Sequence, residues 1–121
     1  MSRMNPEVKS KLCHRLRTTT VPQGRVSLNH EGRMCSLGHL CEMAVEAGVI
    51  ERKEKGDGHI GYGPVDSPYL GCGPYFCDVY PPESVMRWAG LRGEATSEIV
   101  VLNDYQGKTL PEIADFIEEH Y

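Results

Sequence analysis

Leu37, Leu40, Cys41 and Ala44 fall at positions i, i+3, i+4 and i+7 of one segment that Gly48 closes. This period gathers four apolar side chains on one face of a helix, so the rest of the chain has to fold over them. Ser36 is a helix-capping residue type at the start, and Gly48 supplies the left-handed conformation that ends a helix. With 121 residues the chain is about the size of one domain and can bury a core without a metal or disulfide. A central helix bearing Cys35, His39 and Cys41 is thus the fixed point of the reading.

The flanking elements follow from local signals. Asn5-Pro6 reads as a cap and first helical position, with Val8, Leu12 and Leu16 repeating every four residues, which predicts a first helix to about Arg17. Thr18-Thr19-Thr20-Val21-Pro22 breaks it. Gly24 to Leu28 alternates toward a turn at Asn29-His30-Glu31-Gly32 and returns through Arg33-Met34-Cys35, a predicted hairpin. A second predicted pairing runs from Val49–Arg52 through a turn at Lys55–Gly58 to His59–Tyr62. From Gly61 to Pro82 the chain is rich in Gly, Pro and Tyr, and an irregular segment is expected there. Pro81-Pro82 precede a short helix with Val85, Trp88 and Ala89 inward, ended by Gly90. Ile99-Val100-Val101-Leu102 reads as a buried strand or the approach to a turn at Asn103-Asp104. Thr109 and Glu112 have capping-box spacing for a last helix burying Leu110, Ile113, Phe116 and Ile117. The expectation is one α+β domain over residues 1–121, with about four short helices and a small antiparallel sheet or hairpins, and with residues 1–4 outside the ordered fold.

Charge and motif content exclude several function classes. Residues 1–34 carry seven Lys/Arg against two Asp/Glu, a local +5, whereas 13 basic and 17 acidic residues overall leave −9 for the remainder. The net −4 opposes nonspecific nucleic-acid binding by the first helix through Lys9, Lys11, Arg15 and Arg17. No apolar run approaches the roughly 18 residues of a membrane span, and no secretory core opens the chain, which predicts a cytoplasmic protein with no membrane partner. Five cysteines in that setting read as reduced thiols. Walker, His-Glu-x-x-His and Gly-x-Ser-x-Gly motifs are absent from the sequence.

Three chemistries remain open. Cys35, His39, Cys72 and Cys77 supply the ligand types of a tetrahedral zinc site, although the spacing of the second pair is loose. Cys35 at a helix N-terminus could be a thiolate nucleophile, with His14, His30, His59 or His120 as base. Gln23, Arg25, Asn103, Asp104 and Lys108 could instead hold an anionic or nucleotide-like small ligand. Against the two thiol chemistries stands apolar packing of the cysteines, and against the ligand reading stands the use of Gly24, Gly32, Gly38 and Gly107 for turn and packing geometry. Tyr69, Tyr75, Phe76 and Tyr80 in the Gly/Pro segment have the composition of a protein-binding surface.

Gln23-Gly24, Cys35-x-Leu37-Gly38-x-Leu40-Cys41, Val85-Met86-Arg87-Trp88-Ala89-Gly90-Leu91, Leu102-Asn103-Asp104 and Glu112-Ile113-Ala114-Asp115 together resemble a group of small bacteriophage and prophage proteins, especially of actinobacterial hosts. The resemblance spans residues 5–120 with the blocks in the same order. It implies a phage-encoded accessory protein and carries no activity with it. Members often have paired cysteines and an aliphatic residue where this chain has Cys35-Ser36 and His39, which weakens His39 as ligand or catalyst. The resulting expectation is a non-enzymatic protein that binds a host or phage macromolecule through residues 61–82 and the adjacent hairpin, without a cofactor. A small-ligand protein that sequesters a nucleotide signal is the first alternative, and a zinc or cysteine-nucleophile protein the second.

Overall fold

Helix capping in the first turn sets the entry to the fold. Asn5 accepts the Glu7 amide through its side chain at 3.0 Å and Pro6 starts α1 (Pro6–Thr18), whose Val8, Leu12, Cys13 and Leu16 are buried. A computed structural model describes residues 4–56, 58–64 and 80–121. The chain then passes through β1 (Asn29–His30), β2 (Arg33–Met34), α2 (Ser36–Glu46), β3 (Ile50–Gly56), β4 (His59–Pro64), α3 (Glu83–Ala89), α4 (Gly93–Asp104) and α5 (Leu110–His120). The four strands form one antiparallel sheet in the order β2-β1-β4-β3. The class is α+β.

α2 is the hub, packed against α1, α3, α4, β2 and β3, while α1 lies along α5. Every residue from Ser36 to Ala44 is buried. That degree of enclosure requires another backbone to come very close, and Gly38 permits it. A Cβ there would sit 1.9 Å from the Leu28 carbonyl oxygen, the group that also accepts the Cys35 amide at 3.3 Å. Gly48 and Gly90 follow α2 and α3 with left-handed φ of 77° and 74°, at the stops read from the sequence. Around the hub, Leu12, Leu16, Leu28, Leu40, Ile50, Val85, Ile99, Ile113 and Ile117 complete one core.

Several expectations change. Among the described residues five helices are present where about four were expected, because Gly93–Asp104 is helical throughout and Ile99–Leu102 lies within it, not in a strand. Ala95, Thr96, Ile99 and Asn103 form its buried face, so the 3.6-residue period prevails over the β propensity of Ile-Val-Val. The first hairpin forms with strands at 29–30 and 33–34 and a two-residue turn at Glu31-Gly32, narrower than the four-residue turn expected. Met4 belongs to the fold: its side chain is buried and its amide donates to the Tyr121 carbonyl at 3.3 Å. Residues 61–64 are strand, and 65–79 lie outside the described residues.

Candidate functional site

The thiol-bearing helix is positioned by tertiary hydrogen bonds at its first turn. Cys35, not Ser36, is the N-cap, its Sγ accepting the Gly38 amide at 3.3 Å. The Ser36 amide donates to Asn103 Oδ1 at 3.2 Å, and the Ser36 hydroxyl is buried with no hydrogen-bond partner among the described residues. Burial pushes the Cys35 thiol up to about 11, outweighing the backbone amides of Gly38 and Leu37, which act in the opposite direction. A helix N-terminus favours thiolate only where solvent or a cation helps to support the charge, so Cys35 stays protonated at neutral pH.

His39 is fully buried. Its Nδ1 accepts from Arg15 Nε at 3.3 Å, and its Nε2 has no hydrogen-bond partner among the described residues. Burial first, and then the Arg15 charge, push it down to about 4. A neutral ring accepting at Nδ1 carries its proton on Nε2. Among the described residues no group of three or more His, Cys, Asp or Glu side chains is placed to hold a metal ion. Cys72 and Cys77 lie outside the described residues. Of the proposed bases, His14 and His120 are solvent-exposed, whereas His30 and His59 stack on each other with centroids 3.8 Å apart.

Gln23, Asn103, Asp104 and Lys108 come together as the ligand reading expected, but their polar atoms bind one another. Gln23 Nε2 donates to Asn103 Oδ1 at 3.0 Å and to the Lys108 carbonyl at 2.8 Å. Asn103 Nδ2 donates to the Gly24 carbonyl at 2.9 Å and to Asp104 Oδ1 at 2.8 Å. Asp104 Oδ1 also accepts the amide of Val26, a β-branched residue held at φ 70°. The buried Asn103 amide is thus engaged at both ends, and the cluster fastens the 23–26 loop to the end of α4. Arg25 and Lys108 remain exposed beside it.

A second polar network was not foreseen. Glu42 on α2 is buried, with Oε2 accepting from Tyr62 Oη at 2.6 Å and Oε1 from Arg52 Nη1 at 2.7 Å. Asn29 Nδ2 donates to the same Tyr62 hydroxyl at 3.2 Å. Burial and the neighbouring carboxylate raise the Tyr62 phenol far above its ordinary value. Such a phenol holds its proton, so the network ties helix to sheet instead of transferring protons. The sequence signal was weak, because Glu42 sits 10 and 20 residues from its partners.

The exposed apolar side chains have one address. Among the described residues the large exposed hydrophobics are Val26 (56 %), Tyr80 (37 %), Val101 (40 %) and Tyr105 (79 %). Val101 and Tyr105 continue the row begun by Ser97 along α4, at i, i+4 and i+8. Tyr80 Oη hydrogen-bonds Ser97 Oγ at 2.8 Å, and Val26 is tied to Asp104 at the other end of the helix. Beside this row a groove of about 430 Å³ is lined by Ser97, Glu98, Val101, Leu102, Gln106 and Phe116. Of the four predicted aromatic anchors, Tyr80 lies here, and Tyr69, Tyr75 and Phe76 fall outside the described residues. The row itself was missed, although its four-residue spacing was visible once α4 is read as a helix.

No protein-family model, curated protein or solved structure matches this chain. No helix among the described residues is long and apolar enough to cross a membrane.

Proposed function

We propose that this is a non-enzymatic accessory protein that binds another macromolecule, and that the α4 face is its docking surface. The carrying observation is that all four large exposed hydrophobics among the described residues lie on α4 or are hydrogen-bonded to it. Apolar side chains gathered on one face mark interaction sites, whereas scattered ones need no explanation. Tyrosines are suited to this role because they offer large contact area with few rotatable bonds. The resemblance in sequence to small phage proteins supplies the setting: a phage-encoded protein acting on a host or phage protein.

The chemistry that competing readings need is weakly supported. A nucleophilic Cys35 needs a thiolate, and burial opposes it. A ligand at Gln23 and Asn103 has to displace four hydrogen bonds already made within the cluster. The test is site-specific photo-crosslinking in host lysate, with the crosslinker at position 101 and, as control, at position 11 on exposed α1. A partner captured from 101 and lost on Tyr105→Ala supports the reading. Equal capture from both positions, or capture indifferent to Tyr105, refutes it.

A further inference from the structure

The loop fastened to the end of α4 is strained where it is most exposed. Val26 has φ 70°, and the Ser27 amide donates to the Arg25 carbonyl at 2.8 Å, which closes a tight three-residue turn around it. A β-branched residue rarely takes such a turn, and the strain persists only where neighbouring bonds over-determine the backbone. Asp104 Oδ1 provides one of those bonds at the Val26 amide, and Asn103 Nδ2 another at the Gly24 carbonyl. The Val26 side chain is thereby held out beside Asp104, which Tyr105 follows in the chain. An anchor fixed in advance loses little conformational freedom on docking.

The rim at this end of the surface is basic. Arg25, Arg33 and Lys108 are exposed, and among the described residues none of the three forms an ion pair. A Cβ at Gly107 would sit 3.3 Å from Arg25 Nη2, and one at Gly24 would sit 3.2 Å from Arg33 Cβ, so Arg25 reaches the turn after α4 and Arg33 is rooted beside the fastened loop. The Lys108 carbonyl accepts from Gln23 of the same loop at 2.8 Å. The nearby carboxylates are already engaged, Asp104 by the Val26 amide and Glu112 by the Thr109 amide at 2.9 Å. Three cations against these two acids leave this end positive. Glu98, the one acid lining the groove, lies farther back along α4 and is bonded by Tyr121.

Resting on the docking role proposed above, we infer that the end of α4 takes an acidic segment of a partner protein, with an aliphatic or aromatic side chain against Val26 and Tyr105 and Asp or Glu facing Arg25, Arg33 and Lys108. Carboxylates beside an apolar anchor match both halves of this surface. A long polyanion such as nucleic acid also meets the carboxylates of α5 and the net charge of −4, which favours a short acidic segment. A second copy docked by two-fold symmetry sets the three cations against themselves, which disfavours it as occupant.

A displayed library of random short peptides is panned on the full chain, with counter-selection on Tyr105→Ala. The enriched sequences are expected to place Asp or Glu beside Leu, Ile, Phe or Trp. One such peptide and its Asn/Gln counterpart are then compared by fluorescence anisotropy at about 50 and 200 mM salt. The acidic peptide is expected to bind about tenfold more tightly at low salt, with the gap shrinking at the higher salt. Arg25→Glu with Lys108→Glu closes the gap. Val26→Gly relieves the positive φ, so its Tm holds or rises, while its affinity for both peptides falls several-fold. Unchanged affinity in Val26→Gly overturns the inference. If the Tyr105-dependent sequences are neutral or basic, or if charge reversal leaves the gap intact, the surface stands and the acidic partner is overturned. If no enriched sequence depends on Tyr105, the docking role itself fails. A Tyr105-dependent dimer in sedimentation velocity identifies a second copy as the occupant and overturns the inference.

Discussion

Replacing His39 with leucine isolates the stability term of a buried neutral imidazole. In the folded chain burial and Arg15 push this ring down to about 4, whereas an imidazole in the unfolded chain titrates near its model value of 6.5. As pH falls from 6.5 toward 4, the unfolded state takes up the proton first, so stability declines through that window. Above 6.5 neither state is charged and the term vanishes. Below 4 both are charged and the loss saturates. Linkage makes the loss about 2 kcal/mol at pH 5 and about 3 kcal/mol at pH 4. Carboxylates whose folded pKa values are lowered, Glu112 by the Thr109 cap and Glu118 by Arg17, add acid losses of their own. Those losses are common to both proteins and cancel in the comparison. At pH 7 the leucine variant gives up the 3.3 Å bond from Arg15 Nε, a partly exposed donor that also keeps Glu46 at 3.0 Å through Nη1. It also removes the buried Nε2 that has no partner, so the net change at pH 7 is within about 1 kcal/mol. Urea unfolding at pH 7, 6, 5 and 4 checks the argument. The variant is expected to gain about 3 kcal/mol on the wild type between pH 7 and 4. Stability curves that run parallel within about 0.5 kcal/mol refute a buried neutral His39.

Two further substitutions test the joints of the fold. Gly38→Ala places a methyl 1.9 Å from the Leu28 carbonyl oxygen and 2.9 Å from its carbon, so either α2 or the hairpin backbone must shift. A loss of more than about 3 kcal/mol and a Tm drop of at least about 10 °C are expected by differential scanning calorimetry, and a drop of only a few degrees shows that the approach is looser. Asn103→Leu keeps the volume but leaves the Ser36 amide, the Gly24 carbonyl and one Gln23 donor without their partner. Destabilisation of about 2–4 kcal/mol in urea is expected, with faster amide exchange at Gly24–Val26, and an unchanged midpoint contradicts the latch role.

What the sequence made legible was local. The Asn5 cap, the Thr109–Glu112 capping box with its 2.9 and 3.3 Å bonds, and the stops at Gly48 and Gly90 all depend on atoms within one helical turn. The apolar row of α2 was readable for the same reason. Where partners come from distant segments the reading faltered. Ser36 looked like the cap, but Asn103, 67 residues away, takes its amide and Cys35 caps instead. No local signal marked Glu42, whose partners Arg52 and Tyr62 come from the strands that follow α2.

α4 shows most clearly why such misses cluster at the candidate site. Its buried face includes two polar residues, Thr96 and Asn103, each satisfied by hydrogen bonds, while its apolar Val101 faces outward. An inside-out test of hydrophobicity therefore reads Ile99–Leu102 as a buried strand. The same inversion makes the helix a docking candidate: a polar residue can be buried when internal partners replace water, but among the described residues nothing covers Val101 and Tyr105. The cluster at Gln23 and Asn103 reverses in the complementary sense. Its residues were expected to face a ligand, and they converge, yet they spend their donors on one another. The polar residues Gln23, Asn103 and Asp104 that the sequence marked for binding therefore hold α4 in place, and of the apolar run Ile99–Leu102 that it assigned to the interior, Val101 stands on the surface that α4 presents while Ile99 stays in the core.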